Sequence, residues 1–219
     1  MNREMNVVYL HGFASSPQST KARFFKGRFA EQGIAMETPD LAAGDFENLT
    51  ISGQLAVVQA ACQGRKVVLM GSSMGGYLAG LYAVRHPDEV ERVVMLAPAF
   101  RLARRWAEVF GPERFGEWER TGVLQVFHYG EGRARDLGFR LIDDGRGFED
   151  YPEFAQPGLI LHGTEDAVVP VELSRTFAAQ RANVTLKTYA AGHELTEVLE
   201  PMWKETWEFL QGQPSFGRP

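Results

Sequence analysis

Short apolar runs alternate along the chain with stretches of helical spacing. Asn6 to Leu10, Ala35 to Thr38, Lys66 to Met70, Val93 to Ala97 and Gly158 to His162 are too short for helices and read as strands, and Thr185 to Tyr189 alternates in strand fashion. Between them, Ser19 to Gln32 sets Ala22, Phe25, Phe29 and Ala30 at helical spacing, with Gly33 placed to close the helix. Thr50 to Ala61, Tyr77 to Arg85 before Pro87, Val171 to Gln180 after Pro170, and Leu195 to Leu210 read as further helices. Pro201 is expected to kink or split the last of these. Strand alternating with helix predicts an α/β protein, with a mostly parallel sheet of about six strands and helices on both faces.

The alternation breaks between Ala99 and Pro157, where nearly sixty residues join two strands that one helix would connect elsewhere. A structureless loop of that length is improbable, so the segment is expected to form a cap. Arg101 to Phe110 reads as a helix, Val123 to Tyr129 as a strand bounded by Gly122 and Gly130, and Leu137 to Asp143 as a short helix. The expected organisation is a core built from residues 1–98 and 158–212, a cap or lid at 99–157, and a loose tail at 213–219. Aromatic residues are dense in the cap, Trp106, Phe110, Trp118, Phe127 and Tyr129 among them. They either pack the cap onto the sheet or line an acyl pocket. Nine of the eighteen arginines lie there with eleven Asp and Glu residues, so local ion pairs account for them more simply than an anionic ligand does.

At 219 residues with 44% hydrophobic content, the chain buries roughly 70% of its unfolded surface on folding, enough for one core. The single cysteine, Cys62, cannot pair within the chain and reads as a small core residue. No run of 18 apolar residues and no leader-like amino terminus is seen, so a cytoplasmic protein without a membrane span is expected. A net charge of -5 argues against a nucleic-acid partner. No zinc-type Cys/His spacing or phosphate loop occurs; the Gly71 to Gly76 stretch lacks the Lys and Ser/Thr that a nucleotide loop carries. No cofactor and no metal are therefore implied, and the sequence does not give the oligomeric state.

Gly71-Ser72-Ser73-Met74-Gly75 places a G-x-S-x-G pattern between a strand and a helix. So abrupt a turn strains the central residue and crowds its neighbours, which two residues without Cβ relieve. Ser73 is therefore the candidate nucleophile. A hydroxyl needs a base to take its proton and a third group to orient that base, in the chain order Ser, acid, His. Asp166 follows the run Leu159 to Leu161 in the loop His162 to Pro170, and His193 follows the strand ending at Tyr189. Glu165 competes for the role of acid, and His86, His128 and His162 for that of base. Only His193 sits in a late loop just past a strand. Loops at the carboxyl ends of parallel strands share one crevice, so the three side chains fit one geometry. The loop His11-Gly12-Phe13 after the first strand is the expected oxyanion site, with the amides of Phe13 and Met74 as donors. His11 is expected to hold that loop rather than to react.

Gly71 to Gly75, Asp166, His193 and the His11-Gly12 loop together resemble the α/β-hydrolase superfamily, over about residues 6–210 and in a trimmed form, with no strand before the one leading into the oxyanion loop. Residues Leu10 to Ala22 are similar to the opening of small bacterial esterases of the YqiA type. Gly71 to Tyr77 resembles both that group and short-capped abhydrolase-domain thioesterases. The resemblance implies a cofactor-free hydrolase of small-molecule acyl esters or thioesters. An amidase, a C–C bond hydrolase or a perhydrolase on the same scaffold, and a non-catalytic binding protein, are the alternatives.

Overall fold

The computed structural model describes residues 5–212, so the expectation of a loose tail at 213–219 lies outside the described residues. Six strands form one sheet: β1 (Val7–Leu10), β2 (Met36–Glu37), β3 (Val67–Ser72), β4 (Val90–Leu96), β7 (Gly158–Gly163) and β8 (Val184–Tyr189). Their order is β2-β1-β3-β4-β7-β8, and every neighbouring pair is parallel.

The strands are apolar on both sides for a structural reason. Val8, Leu10, Leu69, Val93, Met95 and Ile160 face one layer, with α2 (Ile51–Cys62), α3 (Met74–Arg85) and α6 (Val171–Ala179). The alternate residues Val7, Tyr9, Val68, Met70, Val94, Leu96, Leu159 and Leu161 face the other, with α1 (Thr20–Glu31) and α7 (Leu199–Gln211). Period-two side chains thus meet helices whichever way they point. β8 at the sheet edge is less buried and keeps the alternation that the sequence displays.

Helix ends follow local chemistry. The Ser19 hydroxyl accepts from Ala22 N–H to start α1, and the Thr50 hydroxyl accepts from Gly53 N–H to start α2. Pro201 does not kink the last helix, contrary to expectation. A short 3-10 turn (Thr196–Val198) precedes α7, and Pro201 falls in the first turn of α7, where its missing N–H has no partner to lose.

The segment between β4 and β7 folds as α4 (Leu102–Thr121), an antiparallel hairpin of β5 (Val123–His128) and β6 (Arg133–Gly138), and α5 (Arg140–Gly145). α4 runs eleven residues past the expected Phe110 because its break is internal: Gly111 leaves helical geometry at φ 74°, and Pro112 opens a second helical piece. β6 was not expected. Its sequence is charged and mostly exposed, so only Leu137 of its inward side carries an apolar signal, and the helix expected over Leu137 to Asp143 forms only after it. Gly138 N–H donates to the Glu47 carbonyl and Gly130 N–H to that of Ala14, docking the hairpin on loops beyond the strand ends. Trp118 is buried and donates its indole N–H to the Leu137 carbonyl at 3.0 Å.

Among the described residues no helix is long and apolar enough to cross a membrane. From β1 the chain steps outward to β2, then returns across β1 to β3. The loops leaving β1 and β3 therefore part in opposite directions and leave a crevice at their carboxyl ends.

Candidate active site

Ser73 sits at that crevice, between the end of β3 and the first residue of α3, with φ 53° and ψ -116°. This is disfavoured backbone for an L residue, and it is held by bonds on both sides: Ser73 N–H donates to the Leu96 carbonyl, and the Ser73 carbonyl accepts from Tyr77 and Ala99 N–H. The flanking glycines are required by contact. A Cβ on Gly71 would lie 2.2 Å from the Gly75 carbonyl oxygen, and one on Gly75 would lie 2.1 Å from that of Leu10. Helix α3 can thus start hard against β1 and β3 only because both positions lack a side chain.

His193 and Asp166 reach Ser73 from the loops after β8 and β7. His193 Nε2 lies 3.1 Å from Ser73 Oγ, and its Nδ1 lies 2.7 Å from Asp166 Oδ2. The two loops approach closely because Gly163 has no Cβ, which would meet the Ala191 carbonyl at 2.1 Å. The Asp166 carboxylate is sealed from solvent, while the His193 ring keeps an open edge. Asp166 Oδ1 accepts the amides of Val168 and Val169, each at 2.8 Å. Burial alone would raise the Asp166 carboxyl, but hydrogen bonds from His162 and His193, the charge of His193 and the Val169 amide outweigh it and hold the group well below the usual carboxylate range.

The competing residues are engaged elsewhere. Glu165 is exposed. His86 stacks on Tyr82 with centroids 4.2 Å apart, and His128 Nδ1 accepts the Glu131 amide. His11 Nε2 accepts the Leu41 amide at 3.2 Å and its Nδ1–H donates to the Gly12 carbonyl at 2.9 Å, so it ties the β1 loop to the loop after β2. Burial pushes its pKa down. Gly12 brings that loop to Ser73: a Cβ there would lie 3.6 Å from Ser73 Cβ. Phe13 follows Gly12, and Met74 opens α3 with an N–H that helix geometry leaves without an intrahelical acceptor.

Two further residues hold the site, and the sequence reading gave neither of them this part. Lys21, on α1, is buried and donates from Nζ to the Glu194 carbonyl at 2.8 Å and to Glu194 Oε2 at 3.3 Å, anchoring the turn that carries His193. Burial lowers its pKa against the raising effect of Glu194. Its only signal was a cation at Phe25 minus four, on the apolar face of α1. His162 lies under Asp166, with Nε2 3.2 Å from Oδ2.

The insertion closes over one side. Trp106 meets Phe13 edge-on at 4.9 Å, and Arg105 donates to the Val168 carbonyl at 2.7 Å. Of the aromatic residues in that segment, Trp118, Phe139 and Phe154 are buried in packing, whereas Phe127 and Tyr129 are exposed and meet each other edge-on. Arg101, Arg104, Arg133, Arg135 and Arg146 each face a carboxylate. A cavity of about 10 Å³ lies beside Gly12 and Met74, walled by Leu41, Phe46 and Leu49 with Gln54.

A family model described as an uncharacterised protein family, UPF0227, matches residues 6–210. The chain belongs to UPF0227. That membership agrees with the likeness of residues 10–22 to YqiA-type proteins. This UPF0227 protein superposes on alpha/beta hydrolase domain-containing protein 10 from mouse with a TM-score of 0.80, at 17% identity over 96% of this chain and 91% of that one. It superposes on Est1E from Butyrivibrio proteoclasticus with ferulic acid bound at 0.78, with 22% identity over 95% and 90%. In sequence it is 23% identical over 228 residues to the 2-hydroxymuconate semialdehyde hydrolase of Pseudomonas putida, covering 85% of this chain and 79% of that protein. The UPF0227 chain thus has the α/β-hydrolase fold.

Proposed function

We propose that the protein is a serine hydrolase that cleaves small carboxylic esters or thioesters through an acyl-enzyme on Ser73. The observation that carries this reading is the unbroken path from Ser73 Oγ to His193 Nε2 at 3.1 Å and from His193 Nδ1 to Asp166 Oδ2 at 2.7 Å. His193 takes the proton as Ser73 attacks the acyl carbonyl, and Asp166 holds the imidazole in the tautomer that presents Nε2 to the hydroxyl. The amides of Phe13 and Met74 stabilise the oxyanion, each worth on the order of 3 kcal/mol of barrier. The alcohol or thiol leaves with the proton from His193. Water activated by His193 then releases the acid and restores Ser73.

In this reading the 99–157 insertion is the cap, with Trp106 and Phe13 forming an apolar wall beside the acyl carbon. A cytoplasmic setting belongs to the same proposal.

The test is turnover of p-nitrophenyl acetate and of its thioester counterpart. Ser73→Ala is expected to lower the rate by at least about 10³-fold with an unchanged circular dichroism spectrum, and to lose labelling by a fluorophosphonate. A variant that turns over at the parental rate would remove Ser73 from the mechanism. The substrate named for the Pseudomonas relative is a semialdehyde, which contains no ester link, so C–C bond hydrolysis by the same residues is the second reading. Activity on a semialdehyde substrate with none on the esters would favour it.

A further inference from the structure

We propose that His162 is the positioning residue of the acid: it fixes the Asp166 carboxylate so that one oxygen points at His193, and Ser174 fixes His162 in turn. The proposal rests on the reading of Ser73, His193 and Asp166 given above. His162 is the penultimate residue of β7 and is wholly buried, as is Ser174 on α6. Its Nε2 faces two acceptors, Asp166 Oδ2 at 3.2 Å and the Val169 carbonyl at 2.9 Å, so Nε2 carries the proton. Its Nδ1 meets Ser174 Oγ at 2.8 Å, and the hydroxyl donates there. The ring is thereby held in one tautomer and one orientation between β7, the acid loop and α6.

The consequence lies at Asp166. Oδ2 is shared by two imidazoles, His193 Nδ1 at 2.7 Å and His162 Nε2 at 3.2 Å, while Oδ1 is held by the Val168 and Val169 amides. Two amides on one oxygen and the His193 ring on the other leave the carboxylate held on its second oxygen only by the group it must itself orient. A further donor on that second oxygen, bound also to the acid loop through the Val169 carbonyl, removes that dependence. The lone pair that His193 uses is then already aimed before substrate arrives, and supporting hydrogen bonds of this kind are what hold reacting groups within a fraction of an ångström. His162 touches neither Ser73 nor the acyl site, so its effect belongs to kcat and not to KM.

Three variants test this. His162→Met keeps the volume without the donor and is expected to lower kcat on p-nitrophenyl acetate on the order of 10-fold, with KM within about twofold. His162→Gln, whose amide N–H reaches the position of Nε2, is expected to recover most of the loss. The low-field proton resonance of the bond from His193 Nδ1–H to Asp166 is expected to move in His162→Met and to return in His162→Gln. Should His162→Met fail to fold, Ser174→Ala leaves the ring in place and frees its tautomer, and a smaller kcat loss with the same movement of the resonance is expected. A parental kcat in His162→Met, or a resonance unmoved in both His162→Met and Ser174→Ala, would overturn the proposal. Absent fluorophosphonate labelling of the parent would instead defeat the Ser73 reading, and the resonance comparison, which needs no turnover, would still decide the part of His162.

Discussion

Asp166 satisfies four donors with two oxygens that are sealed from solvent, and that arrangement has a signature in stability. Its donors depress the carboxyl below the ordinary value of 3.8 despite the opposing effect of burial. A carboxyl depressed on folding contributes stability that is fully present above the unfolded value and is lost as pH falls from there toward the folded one. Parent and Asp166→Asn, compared by urea denaturation, are therefore expected to differ more at pH 7 than at pH 3. A gap that stays constant between those conditions would mean that the donors do not favour the ionised form. At this scale the grouping of Ser73, Asp166 and His193 was legible because their residue types follow the order that the proposed chemistry requires. Lys21 and His162 were not. Lys21 bonds a group 173 residues away, and His162, though only four residues from Asp166, makes a bond inside a buried turn that no periodicity marks.

Secondary elements were legible wherever burial imposed a period. β1, β3, β4 and β7 face helices on both sides, so their apolar runs stand out. Arg133 to Gly138 carries charge on an exposed hairpin and pairs with β5 through backbone bonds that any residue provides, so no pattern announced it. That hairpin is held to α4 by Trp118, which is 1% exposed, packs edge-on against Phe139 at 5.2 Å and bonds the Leu137 carbonyl. Trp118→Ala is expected to destabilise the protein by about 3 to 5 kcal/mol, measured by chemical denaturation. A loss under about 1 kcal/mol would show that the hairpin is held by its loop contacts alone.

Across the whole molecule, the insertion shares one apolar cluster with the sheet: Trp118, Leu124 and Leu137 belong with Val8, Leu69 and Met95. Thermal unfolding is accordingly expected to be a single transition, with tryptophan fluorescence, which reports Trp106 and Trp118 in the insertion and Trp203 and Trp207 on α7, coinciding with far-ultraviolet circular dichroism. Two separated transitions would mean that the insertion melts on its own. The sequence by itself determined the α/β class, the strand that leads into Ser73, the glycines around it and the residue types that the proposed reaction would use, because periodicity and turn sterics act over a few residues. Only the tertiary structure decided that Oγ, imidazole and carboxylate meet, that Lys21 and His162 brace them, and which aromatic residues pack rather than face solvent. Those outcomes depend on strand order and on the packing of loops far apart in the chain, and the parallel crossover from β2 back to β3 is what brings them to one crevice.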